Sequence, residues 1–165
     1  MSQEIGTWVD IKRRKMNTNN TKKFNKNLYN QYDHVGKKFV AKILRKKHGD
    51  DLKIVGDNGF GVDLEFYKDG KKIGTAEVEV RNNWRDNNMF PFDTVNIPYR
   101  KKKFFIDGSC LYFSINKNLT RCLIIPEKVI LESPVQENPN KYVLKGEKFF
   151  KVPVEKCENF IYEQK

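Results

Sequence analysis

The sequence predicts an α/β (α+β) chain with a mixed central sheet flanked by helices, folded as a single domain. Three observations carry that expectation. The 165 residues suit one domain, because domains run roughly 100–200 residues. Between 22 and 48, Phe24, Leu28, Tyr32, Val35, Phe39 and Ile43 recur at steps of three or four, which marks one stripe of an α-helix. After Gly49 the apolar period drops to two, the period of half-buried strands.

Taken in order, residues 1–21 read as a basic, flexible arm. It holds the cluster Lys12-Arg13-Arg14-Lys15 and a polar stretch at 17–21. Residues 22–165 form the domain. Its helix over 22–48 has Thr21 as N-cap and Gly49 as stop, with Lys22, Lys26, Lys37, Lys42 and Lys46 on the face away from the apolar stripe. Strands are expected at 52–55, 61–67 and 74–81, the last two joined by the hairpin signal Asp69-Gly70. A loop with a short helix is expected at 82–92, then strands at 109–115 and 121–125 with a turn at 116–118. Residues 132–140 read as a polar loop, 142–144 and 149–154 as weak strands, and 155–163 as a closing helix.

Composition narrows the function. Hydrophobic residues are only 38% of the chain, but twelve Phe, seven Tyr and two Trp supply the bulk for a core. No apolar run approaches the roughly 18–20 residues that span a bilayer, and the first residues show no basic-then-apolar leader pattern, so no membrane partner is expected. Cys110, Cys122 and Cys157 make an odd set without a CxxC pair, which fits buried thiols in a reducing cytoplasm. Lys and Arg outnumber Asp and Glu by 32 to 21, a net charge of +11, which points to a polyanion such as nucleic acid. No Walker A, GxSxG or HExxH motif is present, and His34 and His48 are not spaced as metal ligands.

The chemistry concentrates in the 61–81 hairpin. The Asp69-Gly70 turn sets Asp63 near Glu77, with Glu79 two residues further on the same face. Like charges across a strand pair repel each other. A divalent cation turns that cost into a gain, and hard oxygen ligands with room for water suit Mg²⁺ or Mn²⁺. An exposed polar face is the other reading of the same alternation. Arg81 follows on this face, where it either meets a phosphate or balances Glu77 and Glu79. The run Arg100, Lys101, Lys102 and Lys103 offers contacts to a phosphodiester backbone, or forms a solvated turn. Trp84, Phe90 and Phe92 are expected to pack rather than stack on bases.

The order of helix, strand, strand with Asp63, hairpin and strand with Glu77-Val78-Glu79 resembles the PD-(D/E)XK nuclease superfamily. Asp63 matches the family's first acid, Glu77 the second and Val78 the apolar position between. Glu79 stands where most members have lysine, as in an E-x-E variant, and Val62 stands where they have proline. Over roughly residues 22–125 the resemblance implies a restriction-endonuclease-like fold and a Mg²⁺- or Mn²⁺-dependent DNA endonuclease, with RNA left open as substrate. It implies that Asp63, Glu77 and the Val78 carbonyl hold the metal. Glu79 then binds metal or activates the attacking water, and Lys101, Lys102 and Lys103 supply the missing positive charge. Asp33 is the nearest match to an acid that many members carry on the first helix. A homodimer and a phage or mobile-element origin agree with such a nuclease. Two other classes stay open: a catalytically silent nucleic-acid-binding module, and a protein that acts by binding a host protein.

Overall fold

A computed structural model describes residues 26–56, 61–85, 88–140 and 143–162. The expected arm, the Thr21 cap and Phe24 lie outside the described residues, as does the side chain of Asp33. The described part is a mixed α+β arrangement. Helix α1 (Lys26–His48) leads into β1 (Lys53–Gly56), β2 (Leu64–Lys68) and β3 (Lys71–Arg81). Next come β4 (Thr94–Pro98), a 3₁₀ segment (Tyr99–Phe104), β5 (Cys110–Asn116) and β6 (Arg121–Pro126). The chain closes with a short α2 (Glu127–Leu131), β7 (Val135–Asn140), β8 (Val143–Pro153) and β9 (Glu158–Ile161). No helix among the described residues is long and apolar enough to cross a membrane.

The described strands form a six-stranded sheet in the order β1-β2-β3-β5-β6-β9 and a three-stranded sheet in the order β4-β8-β7. In the larger sheet β3 and β5 run parallel, and every other pair is antiparallel. The hairpin between β2 and β3 turns at Asp69 (φ 51°) and Gly70 (φ 77°). Two positive φ values in succession match the right-handed twist of the strands, which is why Asp-Gly serves there.

Alternation along the strands feeds two cores. One face of the large sheet presents Ala76, Phe113, Ile115 and Ile124 to Phe39, Ile43 and Leu44 of α1. The other presents Tyr112, Leu123 and Ile125 to Val95, Ile97, Phe150 and Val152 of the small sheet. The large sheet is therefore covered by α1 on one face and mainly by the small sheet on the other. The expected flanking helices are met by α1 on the first face and, on the second, by the five-residue α2, whose Ile130 joins that core beside the small sheet.

Several elements differ from expectation. Residues 135–140 are a strand, not a polar loop, because β8 offers a partner edge from Phe150 to Val143. The expected closing helix at 155–163 is replaced by β9, which completes the free edge of β6. Its Phe160, with Tyr162 just beyond, has the period-two spacing that packs onto the core. The expected helix within 82–92 is absent among the described residues. Lys37 is buried rather than solvated. At neighbouring Gly36 the helix comes so close to β3 that a Cβ would lie 2.9 Å from Val80 Cγ2.

Candidate metal and phosphodiester site

The pairing of β2 with β3 runs from Lys68↔Lys71 to Leu64↔Ala76 and stops there. Asp63 and Glu77 are the next residue on each strand. At this mouth each carboxylate holds the other strand's backbone. Glu77 Oε2 accepts the Asp63 N–H at 2.8 Å, and Asp63 Oδ2 accepts the Val78 N–H at 2.9 Å. Both acids are buried, Asp63 at 3% exposure and Glu77 at 0%. An extended residue sends its N–H and C=O to the same side of the strand. The Val78 carbonyl therefore points toward the side on which Asp63 lies.

The cation at this pair comes from far along the chain. Lys101 Nζ donates to Glu77 Oε1 at 2.6 Å. It is positioned by β4, whose pairing with β8 ends at Pro98↔Phe149 and launches the 3₁₀ segment. With three residues per turn, every third side chain shares a face. Lys101 and Phe104 turn inward together, with the Lys101 ammonium 5.6 Å from the Phe104 ring centre. Lys102 donates to Tyr99 Oη at 3.2 Å, and Lys103 lies 5.1 Å from the Phe104 ring. Arg100 pairs with Glu147 of β8. Of the basic run, then, Lys101 turns to the acids, while Arg100, Lys102 and Lys103 remain exposed.

Glu79 belongs to a second polar cluster. Its Oε1 accepts the Tyr112 hydroxyl at 3.0 Å and pairs with Arg81 at 2.8 Å. Arg81 also donates Nε–H to Ser114 Oγ at 2.6 Å and Nη2–H to the Asn96 carbonyl at 3.0 Å. Its guanidinium lies 5.7 Å from the Phe90 ring. Burial, reinforced by the Glu79 carboxylate, raises the Tyr112 phenol well above its ordinary range, so it stays a donor. Arg81 thus ties the large sheet to β4 and offsets Glu79. Of the three predicted acids, Asp63 and Glu77 are bonded together and Glu79 is engaged elsewhere. Among the described residues, no group of three or more His, Cys, Asp or Glu side chains is arranged to hold a metal ion.

Trp84 is buried and Phe90 packs edge-on against it at 5.2 Å, with the more exposed Phe92 5.5 Å beyond. Cys110 and Cys122 are buried free thiols and Cys157 is half-buried. Tyr112, Ser114 and Asn96 escaped the sequence reading. Their signal is weak, since a polar residue at a buried strand position declares itself only once its partner strand is known. Compared with protein-family models, curated proteins and solved structures, the chain has no match.

Proposed function

We propose that this chain is a metal-dependent DNA endonuclease of the PD-(D/E)XK kind. The observation that carries the reading is the mouth of the β2–β3 pair, where Asp63 and Glu77 converge and Lys101 lies on Glu77. The element order supports it: α1 followed by three antiparallel strands, with the acids on the second and third at their open end, in a mixed sheet, agrees with the order on which the family resemblance rests. The crossover from β3 to β5 carries β4 and a 3₁₀ segment where the sequence led to the expectation of a short helix.

The donor set suits a hard cation. Mg²⁺ is commonly held by one or two carboxylates while keeping several waters and taking the rest of its shell from phosphate oxygens. Asp63 and Glu77, with the Val78 carbonyl on the same side, are the groups that would hold it. An ion bound there supplies positive charge to the phosphate and a more acidic water. Lys101 takes the place of the family's lysine, arriving from the 3₁₀ segment rather than from position 79. It keeps a positive charge beside the acids and orients a phosphate oxygen or a water. Glu79 positions Arg81. Arg100, Lys102 and Lys103 face solvent, where they hold the flanking backbone.

Incubation with supercoiled plasmid and Mg²⁺ or Mn²⁺, with EDTA as control, tests the reading. Nicking is expected in the wild type and a loss on the order of 10²-fold or more in Asp63→Asn and Glu77→Gln. A silent binding module is the second reading, favoured by the engagement of Glu79 away from the other acids. Salt-dependent DNA binding without divalent-dependent turnover, unchanged in both variants, would establish it instead.

A further inference from the structure

Beside the carboxylate pair lies a cleft of about 340 Å³, the size of a small-ligand pocket (roughly 300–1,000 Å³). Its walls come from the three segments that build the candidate site. Gly61 and Val62 precede Asp63, Thr75 lies two residues before Glu77, and Lys103 and Phe104 follow Lys101. The lining combines an aromatic ring and apolar side chains with cations, as a nucleotide requires. Its two carboxylates are already engaged. Glu65 pairs with Lys72 at 2.9 Å, and Asp107 Oδ1 accepts the Ser109 N–H and hydroxyl at 3.0 and 2.7 Å.

The outer wall is fixed from behind. The buried Glu127 carboxylate accepts the N–H groups of Gly108 and Cys110, both at 2.9 Å. The Ser109 carbonyl accepts the Thr75 N–H at 3.2 Å. Gly108 adopts φ +86°, which a side chain would strain. At the tip of this held loop Ile106 is 81% exposed. A lone exposed apolar residue is ordinary on a protein surface. This one stands at the lip of a cleft, three residues beyond exposed Lys103 and beside the candidate site.

Resting on the nuclease reading of the adjacent acids, we propose that this cleft takes one unpaired nucleobase of the bound DNA strand, with Ile106 filling the step the base vacates. The base lies against Phe104, its polar edge meets Thr75, and Lys103 faces the flanking phosphate. Apolar wedges at vacated base steps are a general device of proteins that unstack DNA. A base held in a duplex has to leave its stack and its partner to enter such a cleft, so a strand that already carries an unpaired base fills it without that cost.

Fluorescence anisotropy in EDTA tests this without turnover. Two probes share one sequence: a perfect duplex, and the same duplex with one bulged 2-aminopurine. The bulged probe should bind about tenfold more tightly, because the perfect duplex keeps its bases stacked and leaves the cleft unfilled. Ile106→Ser should weaken the bulged probe and bring the ratio close to one, and Lys103→Ala should weaken the bulged probe more than the duplex. Equal binding of the two probes, or a ratio unchanged in Ile106→Ser, overturns the proposal. Bulge preference without Mg²⁺-dependent cleavage would keep the pocket and remove the nuclease. Cleavage of perfect duplexes without preference would do the reverse.

Discussion

Lys101 and Glu77 meet at 2.6 Å across 24 residues of sequence, with Glu77 fully enclosed and Lys101 roughly a quarter exposed. A buried carboxylate that loses a bonded cation is costly, whereas a change that removes the carboxylate's own charge is less so. Lys101→Met should therefore lower stability by about 2–3 kcal/mol and Glu77→Gln by less, measured as urea midpoints. Added Mg²⁺ should restore part of the loss in Lys101→Met, because a divalent ion supplies the missing charge. Equal losses in the two variants would show that the pair contributes shape rather than charge.

Asp63→Asn separates the carboxylate's structural task from its charge. An amide oxygen can still accept the Val78 N–H, so the mouth of the hairpin should survive within about 1 kcal/mol of wild type. Asp63→Ala leaves that N–H without its acceptor and should cost about 1–3 kcal/mol. Thermal unfolding of the two variants side by side reads the difference. Nuclease activity should be lost in both.

Glu79→Gln should behave differently from either acid at the mouth. It weakens the Arg81 pair and keeps an acceptor for Tyr112, so a stability loss of about 1 kcal/mol is expected. Cleavage should stay within a few-fold of wild type. A loss as deep as that of Asp63→Asn would return to Glu79 the metal-binding or water-activating role that the family resemblance implies for it.

Stability should fall above pH 9. Burial pushes the Cys110 thiol up to about 12 and raises Cys122 well above its ordinary value, and it raises Tyr112 likewise with help from Glu79. In the unfolded chain thiols titrate near 8.5 and tyrosine near 10, on the order of the ordinary values. The folded chain then retains protons that the unfolded chain has released. The stabilisation is complete below the unfolded values and is lost as pH climbs toward the folded ones. Each shielded group steepens the decline by up to about 1.4 kcal/mol per pH unit. Urea midpoints between about pH 8 and 11 should show the slope; a flat profile would mean that these groups are open to water.

Gly74→Ala tests the approach of β3 to its neighbours. A Cβ there would sit 2.4 Å from Phe66 Cζ and 3.0 Å from the Ser109 carbonyl oxygen. A ring in a packed core and a paired backbone oxygen yield little, so a loss of about 1–3 kcal/mol is expected in urea unfolding.

Local pattern alone determined much of this protein. The apolar stripe through Phe39 and Ile43 made α1, the Asp69-Gly70 pair made the hairpin, and their alternation made Asp63 and Glu77 neighbours. These are short-range matters of period and backbone conformation, and residues a few positions apart settle them. Tertiary structure decided the rest. Residues 135–140 and 158–161 became strands because β8 and β6 had open edges to pair, and pairing outweighs weak local preference. Lys101 reached Glu77 because the small sheet aims the 3₁₀ segment at the hairpin mouth, and Glu79 turned to Arg81 because β5 brought Tyr112 and Ser114 alongside. Which charge a buried carboxylate meets depends on elements distant in the chain, and only the packed sheets bring them together.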